Sequence, residues 1–382
     1  MNDPYFDSSV SQKAGTILYT ILLYLKLLFF PHPLTHDYYP YHIQLIEIYH
    51  PLSLLSLLVI IFFISYAIKG IRSRNKLAWI IFYFFITLSI VSNIFINVGT
   101  FMNERFLFVP SLAFSALVVT VFLKFQNNKK YYTTAIIMAI IAFLGFGFKS
   151  FERIPAWKNL NTLNEAAIKV SRNSARANCF YGVSIYQEIL NDSIPERKLE
   201  KAALAKKYID KSLQIYPEYA DALRMKAGIA AEFYKIDKDI DHLLSVFEEI
   251  QMVRPVAYLD EFTNWLEPRA DKNKMADYYY QTGYEIYAVQ KRNFGKASFY
   301  LQKGIALVPN HKNLLFGNCI VSYLTSDYAR CVQYANTFLT LYGQNADVLY
   351  YLGNAQIKSG NPEGMKNLNL AYQLKPELKN QN

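Results

Sequence analysis

Cysteine is scarce in this chain, with only Cys179, Cys319 and Cys331 among 382 residues. No CxxC spacing occurs, and three cysteines do not make a disulfide framework. They read as small buried residues on helices. Cys319 and Cys331 would pair only if their part of the chain faces an oxidising space, which their spacing does not decide. Acidic charge is scarce in the first 149 residues, where five Asp/Glu stand beside 11 Lys/Arg, against 25 and 29 in the remainder. The N-terminal "MNDPYFDSSVSQK" lacks the basic start of a secretory signal, so no cleavage is expected there. Zinc-finger spacings, RNA-binding aromatic signatures and basic helices are missing too, which excludes nucleic acid as a partner.

What the first 149 residues do have is apolar runs, near 14–30, 50–68, 77–96, 105–125 and 132–149. Each approaches the ~20 residues that cross a bilayer as a helix. Backbone groups in hydrocarbon need internal partners, so helices are the expected form. Lys26 lies inside the first run, which leaves open whether that run spans or re-enters the membrane. The basic loops are "KGIRSRNK" (Lys69, Arg72, Arg74, Lys76) and "KFQNNKK" (Lys124, Lys129, Lys130). Excess Lys/Arg marks cytoplasmic loops. Residues 31–49, 97–104 and everything after 149 then share the opposite, non-cytoplasmic side.

From about 175 onward the pattern changes to paired amphipathic helices, each pair closed by Pro or Gly. The clearest unit is "NADVLYYLGNAQIKSGNPEGMKNLNLAYQLKP", residues 345–376, with Leu352-Gly353, Gly360 and the closing Pro376 in tetratricopeptide positions. Earlier pairs close at Pro217, Pro255, Pro309 and Gly343. The last two lie one 34-residue period apart, and the wide gap after Pro255 marks residues 256–273 as an insertion. The expected fold is therefore all-α: a polytopic membrane helix bundle (1–149), a linker helix (150–174), about five tetratricopeptide repeats forming an α-solenoid (175–376), and a tail (377–382). Such solenoids commonly bind peptide or protein on their concave side.

Two places are candidates for chemistry. The stretch "PHPLTHDYYPYH", residues 31–42, holds three of the six histidines. His32 and His36 have the H-x-x-x-H spacing of a helical metal pair, but Pro31 and Pro33 oppose a helix through them. Three readings stay open: interfacial anchoring by Tyr38, Tyr39 and Tyr41; a polar substrate loop; and a metal site. The other place is "NVGTFMNERFLFVPSLAFS", where Glu104 and Arg105 stand at the outer end of the fourth run. An arginine there can clamp a phosphate bidentately. It can equally snorkel to headgroups beside a paired glutamate.

Together "YLKLLFFPHPLTHDYYPY", "NERFLFVPSLAFS" and the trailing repeats resemble the later membrane segments and repeat domain of the transmembrane and tetratricopeptide-repeat-containing O-mannosyltransferase family, most of all its bacterial relatives. The resemblance implies a C-type glycosyltransferase that takes sugar from a polyprenyl-phosphate lipid at the outer face of the inner membrane, with periplasmic repeats. It implies lipid-phosphate contact for Arg105 beside Glu104, and substrate-side places for His36, Asp37, Tyr38 and Tyr39. Asp37, with His36, is the expected acid or base. The family carries its catalytic acid in the first external loop, and no acidic pair stands at an outer boundary before residue 31, although Asp3 and Asp7 precede the first run. The chain is thus expected to correspond to the C-terminal part of such an enzyme. Its expected partners are the lipid-linked sugar, membrane lipid and an acceptor protein on the repeats. No cofactor is expected, and the pattern does not support a metal. A competing expectation is a non-catalytic, membrane-anchored repeat scaffold.

Overall fold

The computed structural model describes residues 5, 8–38, 42–125, 127, 129–190 and 194–381. Every regular element among the described residues is a helix. The chain divides into two compact units, Met1–Ala222 and Leu223–Asn382.

The first unit begins with α1 (Val10–Phe29), which starts in a capping box between Ser9 and Gln12. Next come α2 (Pro51–Arg72) and α3 (Lys76–Val91). His50 caps α2 by accepting the Leu52 N–H on Nδ1 at 3.3 Å, so this histidine is engaged as a cap. A 3-10 turn (Glu104–Leu107) and Pro110 precede α4 (Ser111–Phe125). Arg105 therefore sits on a turn before the fourth helix, where the sequence pattern had placed the start of a span. The fifth helix, α5 (Lys129–Arg153), continues into a 3-10 turn (Ile154–Trp157). Then come α6 (Leu160–Val170), α7 (Ala175–Leu190) and α8 (Pro195–Ile215).

Among the described residues, two helical stretches, Pro51–Arg72 and Lys130–Trp157, are long and apolar enough to cross a membrane. Lys76–Val91 and Ser111–Phe125 are apolar but shorter. Leu58 and Phe62 on α2, and Phe143 and Phe148 on α5, are exposed. Large apolar faces of this kind mark surfaces that water does not cover in the working protein. The apolar cluster shared by α1, α3 and α4 takes in Tyr24, Tyr38, Phe84, Leu88, Phe101 and Met102.

Residues 46 and 47, before α2, are pinned against α1. A Cβ on Gly15 would fall 2.3 Å from the Ile46 carbonyl oxygen, so only glycine admits the strand of backbone at 46–47. The Ile46 N–H donates to Thr16 Oγ1 at 3.0 Å, and Ser53 Oγ donates to the Gly15 carbonyl at 3.0 Å. These bonds hold the far end of the polar loop against α1.

α7 and α8 pack on each other as a helix pair, where a Cβ on Gly182 would lie 2.9 Å from Ile209 Cδ1. The division between the units falls inside α9 (Ala220–Asp237).

The second unit continues with α10 (Ile240–Val253), α11 (Ala257–Leu266) and α12 (Lys272–Tyr280), the last running on as a π-helical stretch (Gln281–Gln290). The residues expected to be an insertion, 256–273, thus include a helix of their own. Successive neighbours α13 (Phe294–Leu307), α14 (Lys312–Leu324), α15 (Tyr328–Tyr342), α16 (Ala346–Lys358) and α17 (Gly364–Leu374) pack one on the next. Side chains of Asp271, Asn293, Asp327 and Asn345 accept the first free N–H groups of α12, α13, α15 and α16.

Candidate functional site

The loop before α2 and the turn before α4 are joined by hydrogen bonds that span more than sixty residues of sequence. Glu104 Oε1 accepts from the Thr35 backbone N–H and, at 3.0 Å, from the Tyr38 hydroxyl. Asn103 Nδ2 donates to the His36 carbonyl at 3.0 Å, and the Asn103 N–H donates to the Tyr24 hydroxyl oxygen at 2.9 Å. Asn103 also caps the turn by accepting the Arg105 N–H.

A third element closes on the same loop from the α6–α7 connection. Ser171 Oγ lies 2.9 Å from both Thr35 Oγ1 and the Asp37 carbonyl oxygen. Arg176, on α7, holds its Nη1 3.5 Å from Asp37 Oδ1. Asp37 is 4% exposed, so this carboxylate is turned toward α7. The structure therefore brings His36, Asp37, Tyr38 and Glu104 into one network, with Arg105 on its rim. Tyr39 lies outside the described residues.

Burial sets the electrostatics. Glu104 has its carboxyl pushed above the ordinary range by burial, with the Thr35 amide, the Tyr38 hydroxyl and Arg153 pulling it partly back. Tyr38 is raised by burial and by the neighbouring Glu104. His36 is lowered by burial and by the charges of Arg153 and Arg176, and His42 by burial alone. The loop thus favours neutral imidazoles beside a carboxyl group that holds its proton more tightly than usual.

Two hollows adjoin the network. One, of about 590 Å³, is lined by His36, Asn103, Glu104, Arg105, Phe108, Ser111 and Trp157 among others. The larger, about 1230 Å³, shares Ser111 and Trp157 with it and runs along Leu27, Leu28, Leu34, Phe114 and Phe146. Lys149, Arg153 and Lys158 also line it. Arg153 Nη2 and His36 Nδ1 are both buried and have no hydrogen-bond partner among the described residues. Arg105 is exposed and lies over the Phe106 ring at 5.6 Å. A largely apolar hollow with guanidinium and ammonium groups among its lining side chains suits a molecule with an anionic head and a hydrocarbon tail.

Arg153, Lys149, Trp157 and Arg176 did not stand out in the sequence. The signal was present for the first three, in "KSFERIPAW", a basic helix end followed by proline and tryptophan. For Arg176 no local pattern indicates the contact with Asp37. The histidines of the polar loop disperse: His32 is exposed, His42 has its ring 5.3 Å from that of Tyr38, and His50 caps α2.

No protein-family model matches the sequence. Over 85 residues, 22% of this chain, it is 33% identical to the human protein O-mannosyl-transferase TMTC3. That stretch spans 9% of the relative's length. Among solved structures, YrrB, a tetratricopeptide-repeat protein with an unusual peptide-binding site, aligns with a TM-score of 0.27 at 15% identity, covering 56% of this chain and 93% of the other. The Pseudomonas aeruginosa protein pilF aligns at 0.26 and 16% identity, covering 64% and 91%. Superpositions that poor leave the architecture to the helix pairing described above. Among the described residues the protein is all-helical, with tetratricopeptide-type pairs and two membrane-length apolar helices, and the chain has a partial sequence likeness to an O-mannosyl-transferase.

Proposed function

We propose that residues 1–149 form a polytopic membrane domain and supply the donor side of a glycosyltransferase that uses a polyprenyl-phosphate-linked sugar. The repeats at 175–376 present the acceptor protein on the same, non-cytoplasmic side. The observation that carries this reading is the pair of hollows that share Ser111 and Trp157, one largely apolar with Lys149, Arg153 and Lys158 in its lining, the other lined by Arg105 and the half-buried carboxyl group of Glu104. The polyprenyl chain lies along Leu27, Leu28 and Phe114, and the phosphate is met by Arg153 with Arg105. The sugar occupies the smaller hollow against Trp157, His36 and Glu104. Asp37 holds the loop through Arg176. The TMTC3 likeness supports a sugar-transferring membrane protein of this kind.

The second reading, a membrane-anchored scaffold without chemistry, has its own support. The Asp37 carboxylate and the Tyr38 hydroxyl are engaged internally, by Arg176 and Glu104. A scaffold needs a rigid loop and no open site. The test is binding of polyprenyl phosphate to the purified full chain in detergent. Arg153→Ala and Arg105→Ala are each expected to weaken binding about tenfold or more, the scale of a lost charge-assisted bond. Absence of binding to the unaltered protein, or undiminished binding in both variants, overturns the donor reading and leaves the scaffold.

A further inference from the structure

Cys319 and Cys331 are twelve residues apart, one on α14 and the other on α15, and their sulfurs stand 3.7 Å from each other. Both are fully buried in one apolar cluster that also holds Phe338 and Val348. A disulfide has an S–S length of ~2.05 Å, so closure asks for a movement of roughly 1.6 Å, within the reach of side-chain rotation. Cys331 Sγ also lies 3.7 Å from the Tyr351 carbonyl oxygen, a weak contact that closure gives up cheaply.

We propose that Cys319 and Cys331 are a redox pair that closes a disulfide across α14 and α15 on meeting a disulfide oxidant, cross-linking one helical hairpin of the repeats. A thiolate of the pair attacks one sulfur of R–S–S–R and expels RS⁻, leaving a mixed disulfide on the protein. The second thiolate attacks the protein sulfur of that mixed disulfide and expels the second RS⁻. The two protein thiols give up two electrons and two protons, and the oxidant leaves as two RSH.

Burial governs when this happens. The bond shared with Cys331, together with burial, raises the Cys319 thiol well above its ordinary value, so little thiolate forms in the packed hairpin. Exchange therefore takes place as the chain folds or when α14 and α15 part locally. Once closed, the bond is shielded from reductant by the same packing. Cys179, on α7, belongs to the other unit.

The purified full chain in detergent is warmed to just below its unfolding midpoint with oxidised glutathione. It is then denatured, alkylated with N-ethylmaleimide and weighed intact. One added maleimide, a mass two hydrogens lower elsewhere, and a non-reduced peptide joining residues 319 and 331 are expected. The unfolding midpoint should rise by several degrees, revert after dithiothreitol treatment at the same near-unfolding temperature, and show no such rise in Cys331→Ser. Three maleimides per chain after oxidation, or glutathione adducts without the linked peptide, overturn the pair. No step involves the lipid site, so failure here leaves the donor reading standing.

Discussion

Glu104 joins the loop to the turn, and its worth is measured through Tyr38. Tyr38 is 5% exposed, with its ring in the α1–α3–α4 cluster and its hydroxyl on Glu104. Tyr38→Phe keeps the ring and removes the donor, leaving a half-buried carboxyl group short of one bond. A loss of about 1–3 kcal/mol is expected. The double variant with Glu104→Gln should lose less than the sum of the singles, as partners in one bond do, and strict additivity in thermal unfolding would contradict the pairing. Protonation gives a second check at this scale. His36 and His42 are both lowered from 6.5. The unfolded chain therefore takes up protons that the folded loop refuses. Their contribution to stability is complete above pH ~6.5 and is lost as pH falls through the folded values. Glu104, raised from 4.5, has the opposite sign: its contribution is present below that value and lost as pH rises through the folded one. The drop in unfolding temperature between pH about 7.5 and about 5.5 should shrink when His36 and His42 are both replaced by Asn. An unchanged drop would remove the histidines from the balance.

The repeat helices meet through glycine. A Cβ on Gly353 would sit 2.7 Å from Leu368 Cγ and 2.8 Å from the Gly364 carbonyl oxygen, so Gly353→Ala must spread α16 from α17. A cost of ~1–3 kcal/mol is expected, the range for overpacking. Gly295 makes the control, since its Cβ would find only Asn293 Oδ1 at 3.8 Å. In the first turn of α13, Gly295→Ala should be neutral or stabilising by up to about 1 kcal/mol. Equal effects in calorimetry would refute the close approach. Helix boundaries of this kind were legible in the sequence because glycine, proline and capping Asn/Asp are local signals. Pro31 and Pro33 likewise announced that no helix passes through His32, and residues 31–38 are not helical. The site was legible only in part. Glu104 and Arg105 stood out as charges at the edge of an apolar run. Nothing local announces that Ser171 bonds Thr35 across 136 residues, or that Arg176 faces Asp37, because such contacts are made by packing.

For the molecule as a whole, the expectation of a membrane orientation rests on the exposed apolar faces of α2 and α5 and the basic stretches beside them. Lys69 and Arg72 close α2 and Lys76 opens α3, while Lys124 closes α4 and Lys130 lies in the first turn of α5. If these ends are cytoplasmic, the polar loop, the Glu104 turn and the repeats share the opposite face, where donor and acceptor can meet. The scaffold reading expects the repeats released from the membrane to keep their partner, whatever becomes of Arg105 or Arg153. Both readings rest on which side the loops face. That is measured most directly by placing a cysteine at exposed Ser73 or exposed Asn97 in the full chain and treating intact cells with a membrane-impermeant maleimide, the three native cysteines being buried. Asn97→Cys is expected to label and Ser73→Cys to stay unlabelled until the membrane is opened. Labelling of Ser73→Cys from outside would reverse the orientation and contradict a donor site on the non-cytoplasmic face.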